Sequence, residues 1–133
     1  MNSLKIGLKG KQEFQVMPAD SAKAFRSGSL DVLATPVLIA SAEETCADLV
    51  QPMLDSGMGT VGTQVNIRHV APTPIGMKYH CECELTEIDG RKLSFQVTLF
   101  DEIEKIGEGT HERFIINEEK FFNKCMMKSN NGK

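Results

Sequence analysis

No apolar run in this chain approaches the roughly 18 residues that a membrane-spanning helix needs. Behind Lys5, Lys9 and Lys11 there is no apolar core either, so the N-terminus does not read as a secretory signal. Positive charge is also in short supply. Lys and Arg total 15 against 18 Asp and Glu, a formal net charge of −3, which argues against a nucleic-acid binder with a basic face. Cysteine is scarce, with four in the chain. Cys81 and Cys83 alternate along a strand pattern and Cys46 lies in a helix stripe, so they read as reduced small hydrophobes, not a disulfide frame. No second Cys-x-x-Cys or paired-histidine motif completes a metal site around Cys81 and Cys83. The expectations are a cytoplasmic protein with no metal and no cofactor.

What is present is ordinary for one globular domain. The 133 residues are 41% hydrophobic and 25% charged, enough to bury a real core. The stretch from Thr35 to Leu54 carries the helix signals. Thr35 is placed to cap the first turn, Pro36 suits the first helical position, and Pro52 should break or tighten the far end. At about 100° per residue, Ile39, Ala42, Cys46, Val50 and Met53 form one apolar stripe, flanked by Leu38, Thr45 and Leu49. Ser41, Glu44 and Asp48 form the polar face. Glu43 falls inside the apolar stripe. A carboxylate there is either snorkelling or paired structurally, or it is functional.

Before this helix, residues 1–10 read as a polar lead-in and Gln12–Met17 as a first strand. Pro18–Phe25 reads as a short helix and Arg26–Ser29 as a flexible connection. After Gly57 the pattern changes to period two. Val61 to His69, Met77 to Leu85, Leu93 to Leu99 and Ile106 to Ile116 read as four antiparallel strands, with Asp89-Gly90 as a hairpin turn that needs positive φ. Val65, Ile67, Phe95, Val97, Ile39 and Leu49 are the expected core. The tail from Asn123 to Lys133 is polar and reads as disordered, leaving residues 1–122 as the domain. The fold class is α+β, a curved antiparallel sheet wrapped around one long central helix, because that helix is the element able to cover the sheet's apolar face.

Two further residues stand out. His69 occupies the core-facing phase of its strand, as either a satisfied core histidine or a functional one. Gly62, in the same strand, weakens the sheet unless something must approach the backbone closely there.

These features share an order and spacing. They are Ala34-Thr35-Pro36 with Glu43 eight residues after the threonine, Val61-Gly62-Thr63 leading to Arg68-His69, Thr73-Pro74-Ile75-Gly76-Met77, Leu85-Thr86-Glu87-Ile88-Asp89-Gly90-Arg91, and Gly107-Glu108-Gly109-Thr110-His111-Glu112-Arg113-Phe114. Across residues 12–117 the chain resembles the hotdog-fold thioesterases of the fluoroacetyl-CoA-thioesterase-like family. The resemblance implies a catalytic set of Thr35, Glu43 and His69, with Gly62 and Arg113 helping to bind acyl-CoA, in a homodimer with the substrate at the interface. The segment Phe25–Leu30 holds a single phenylalanine where the fluoroacetate-specific branch carries aromatic residues. That departure points to a different, broader short acyl group.

The chemistry fits these residue types. A thioester needs a nucleophile or activated water, oxyanion stabilisation and departure of a thiolate. Glu43 can act as base or nucleophile, His69 can move the proton, and backbone N–H groups near Gly62 or in the helix's first turn can hold an oxyanion. The expectation is an acyl-CoA thioesterase with Glu43 buried beside His69. Two alternatives stay open: a hydratase or dehydratase on an acyl thioester, and a non-catalytic acyl-CoA-binding protein. Eight residues of helix separate Thr35 from Glu43 by about 12 Å along the axis, so the substrate lies along the helix or a second subunit completes the site.

Overall fold

Alternating side chains build the sheet and one helix covers it. The structure is a computed structural model that describes residues 4–131. Its strands are β1 (Lys9–Gln15), β2 (Met58–His69), β3 (Lys78–Asp89), β4 (Lys92–Asp101) and β5 (Lys105–Asn117), and its helices are α1 (Thr35–Val50) and α2 (Glu118–Asn131). The five strands pair antiparallel in the order β1-β3-β4-β5-β2. Period two holds most strictly in the middle of the sheet. Tyr79, Cys81, Cys83 and Leu85 of β3 and Leu93, Phe95, Val97 and Leu99 of β4 are buried, facing α1. Gly90, at φ +62°, supplies the hairpin between them. No helix among the described residues is long and apolar enough to cross a membrane.

The helix is rotated relative to its apolar wheel. Its buried residues are Leu38, Ser41, Ala42, Thr45, Cys46 and Val50, while Ile39, Glu43 and Leu49 lie half-buried at the rim. Two hydroxyls explain the turn. Ser41 Oγ donates to Val37 O at 2.9 Å and Thr45 Oγ1 to Ser41 O at 2.8 Å, so both side chains bury at little cost. Ser41 Oγ also meets the Tyr79 hydroxyl at 2.7 Å. Ser41, assigned to the polar face, is therefore inside. At Pro52 the helix tightens into a 3-10 turn over Gln51–Met53.

Other expectations change at the edges. Phe95 and Val97 are fully buried, but Val65 is 38% exposed and Ile67 is half-buried, because β2 is the outer strand, with β5 on one side of it and no strand on the other. β1 begins at Lys9, inside the expected lead-in, since its backbone pairs with β3 whatever its side chains are. Pro18–Phe25 holds only a 3-10 turn at Pro18–Asp20. The segment from Asn123 onward is helical through Asn131, not disordered. Asn117 Oδ1 caps α2 by accepting from Lys120 N at 3.0 Å, and Glu118 and Glu119 complement the helix's positive end. Residues 132–133 of that expected tail lie outside the described residues.

Candidate active site

Thr35 opens α1 without capping it. The residue ahead, Ala34, holds the N-cap position, and no side chain caps this end. That frees the Thr35 hydroxyl, whose Oγ1 lies 2.8 Å from His69 Nδ1 at the far end of β2. His69 Nε2 is buried and has no hydrogen-bond partner, the one such side-chain atom among the described residues. Buried polar atoms are nearly always paired, so an unpaired imidazole nitrogen marks a site. Ser27, Val32, Thr35, His69 and Ala71 line a cleft of about 290 Å³ here. Ser27 belongs to the Phe25–Leu30 segment, which thus reaches the cleft.

Glu43 is elsewhere. It is not buried beside His69: its side chain is 40% exposed, and Oε2 lies 3.9 Å from Arg113 Nη1. The helix geometry is the reason, since a carboxylate two turns beyond Thr35 meets the other end of β2. What it meets there is Gly62. A Cβ on Gly62 would stand 2.6 Å from Glu43 Oε2, 3.3 Å from Arg113 Nη1 and 3.3 Å from His111 Cε1. The close approach that a strand glycine calls for is made by the glutamate. At this point β2 also bulges, with the register shifting between Gly62 and Gln64.

Arg113 is almost fully buried and well held. Its Nε donates to Thr60 Oγ1 at 2.7 Å and its Nη2 to Thr60 O at 3.0 Å. Nη1 lies 3.2 Å from His111 Nε2, and His111 Nδ1 lies 2.8 Å from Gln64 O. Burial lowers the guanidinium's pKa from its ordinary value, and the Glu43 charge opposes that shift. Sequence reasoning missed His111 as a site residue. The available signal was its place two residues before Arg113, which puts both side chains on one face of β5.

Both site histidines are held neutral by burial. Desolvation lowers the pKa of His69 below 6.5, with the Ala71 carbonyl acting weakly the other way. Desolvation does the same at His111; Arg113 adds to the shift, while the Gln64 carbonyl, Glu43 and Glu112 oppose it. Folded-state values below 6.5 mean that the unfolded chain binds more protons as pH falls. The stability from these neutral rings is fully present above pH 6.5 and is lost as pH falls through the folded values. Melting temperature should therefore drop between pH 6.5 and about 5, a window above most carboxylate titration. A flat profile there would show that the rings are not held neutral.

The structure thus joins Thr35 to His69, and Glu43 to Gly62 and Arg113, as two separate groups along α1. Known proteins give these groups a context. A family model described as fluoroacetyl-CoA-specific thioesterase matches residues 16–119. The fluoroacetyl-CoA thioesterase of Streptantibioticus cattleyicolor is 31% identical over 134 aligned positions, covering 96% of both chains. A solved variant of a fluoroacetyl-CoA thioesterase in complex with acetyl-CoA is similar at TM-score 0.90 and 31% identity, over 94% of this chain and 98% of that one. A hot-dog-like protein from Thermanaerovibrio acidaminovorans shares the fold at TM-score 0.86 and 15% identity, over 94% and 93% of the two chains.

Proposed function

The chain belongs to the fluoroacetyl-CoA-specific thioesterase family, and on that premise we propose that it hydrolyses short-chain acyl-CoA thioesters to the free acid and CoA. The observation that carries this reading is the Thr35–His69 hydrogen bond at 2.8 Å with His69 Nε2 left unpartnered. A ring fixed through Nδ1 and kept neutral by burial is suited to carry a proton at Nε2. Glu43, half-exposed and so reachable by water, supplies the carboxylate that activates water or attacks the thioester carbonyl. Arg113 and the bared backbone at Gly62 flank that carboxylate, which suits them to hold the acyl-CoA. The single phenylalanine of Phe25–Leu30 and the small Ser27 at the cleft support acyl groups other than fluoroacetyl. Thiol release measured across acyl-CoAs of two to about eight carbons tests the reading, and no release from any of them overturns it.

The working unit we propose is a homodimer in which one chain's Thr35 and His69 act with the other's Glu43. The supports are the separation of the two groups along α1 and the open edge of β2, where Gly62 to Asn66 are all exposed. An unpaired strand edge of this length invites pairing with a second copy. His69→Ala and Glu43→Gln chains, each inactive alone, should regain about a quarter of parent activity when refolded together, since half the dimers are mixed and one of their two sites is intact. No recovery would mean that each chain holds a complete site. A cytoplasmic location is the companion proposal, supported by the absence of a disulfide among the four free cysteines of the described residues, three of which, Cys46, Cys81 and Cys83, are buried in the core.

A further inference from the structure

His111 is 1% exposed, and each of its ring nitrogens has a partner. The Gln64 carbonyl can only accept, so Nδ1, at 2.8 Å, carries the ring proton. That leaves Nε2 as a bare lone pair, 3.2 Å from Arg113 Nη1, which donates to it. With Thr60 accepting from Nε and Nη2, the guanidinium is held at all three of its nitrogens. Its Nη1 also faces Glu43, 3.9 Å away, across the space that Gly62 leaves open. A residue that merely filled the volume behind Phe95, on which the ring stacks at 6.2 Å, would need neither this tautomer nor a glycine beside it. Leucine or phenylalanine would fill that volume without burying two polar nitrogens.

We propose that His111 is a positioning residue for the hydrolysis: its neutral imidazole anchors Arg113 through Nε2, and the anchored guanidinium sets the Glu43 carboxylate against Gly62. The kinetic consequence rests on the thioesterase reading above; the anchoring does not. Protonation of the ring would place an N–H and a second positive charge against Arg113, so the anchor exists only while the ring is neutral.

Glutamine and asparagine separate the ring's two jobs. The His111→Gln side chain reaches the position of Nε2 and offers Arg113 a carbonyl oxygen. The His111→Asn side chain reaches only the position of Nδ1 and offers Gln64 an N–H. If anchoring is the role, kcat/KM of His111→Gln stays within about threefold of the parent, while that of His111→Asn falls about tenfold or more although both variants melt alike. Equal losses in both variants, in step with their melting temperatures, would make His111 a structural residue and overturn the proposal.

A second measurement needs no activity and no variant that folds. Long-range proton–nitrogen spectra of the parent at neutral pH should place the His111 proton on Nδ1 and show slow rotation of the Arg113 guanidinium. A proton on Nε2, or a charged ring, overturns the anchor directly. A parent that releases no thiol from any acyl-CoA, yet shows the Nδ1 proton and the slowed guanidinium, overturns the thioesterase reading and supports the anchor.

Discussion

Glu43→Gln should lower thioester turnover by roughly 10² or more while leaving the protein folded. The amide keeps the shape of the side chain and can still contact Arg113, but it neither takes a proton nor attacks a carbonyl. The stability side follows from exposure. With 40% of the Glu43 side chain open to solvent and Oε2 at 3.9 Å from Arg113, the pair is partly screened. Its loss should change stability by no more than about 1 kcal/mol, the scale of exposed ion pairs. Thermal melting and thiol release per folded molecule, measured side by side, separate the roles. A variant that melts early but turns over at the parent rate would make Glu43 a structural partner of Arg113 and leave the reaction to Thr35 and His69.

Phe95→Ala should destabilise the fold by about 3–5 kcal/mol, the range for emptying a buried phenylalanine site. Phe95 sits on β4 in the middle of the sheet, is fully buried, and has Val97 and Leu93 beside it in the same phase. Backbone pairs with β3 and β5 fix its neighbours, so the structure has little room to collapse into the space. Denaturant unfolding gives the measurement, and a change under about 1 kcal/mol would mean that the site refills or that the packing there is loose. The ring also stacks on His111 at 6.2 Å, so activity should fall along with stability.

Much of the fold was legible in period and punctuation. The switch from helical to alternating pattern after Gly57, the Asp89-Gly90 turn and the phase of β3 and β4 all follow from local rules, and the structure keeps them. The residue types of the site were legible too, because a glutamate in an apolar stripe and a glycine inside a strand each break a local rule. Their partners were not. Ser41 and Thr45 read as polar or marginal on a helical wheel, yet they bury by bonding to carbonyls of their own helix, and that rotation carries Glu43 to the rim. Thr35 reads as a cap, yet Ala34 holds that position and the hydroxyl turns to His69.

By itself, then, the sequence determined the central helix, the four long strands after it and which residues in β3 and β4 are buried, and it marked Glu43 and Gly62 as breaks in the local pattern. Periodicity and residue chemistry are properties of neighbours along the chain. Tertiary structure alone decided that β2 lies at the sheet's edge, that Val65 is exposed, and that Glu43 faces Arg113, His111 and Gly62 and not His69. Those outcomes depend on strand order and helix rotation, which are set by contacts between residues distant in the chain. No local pattern records such contacts.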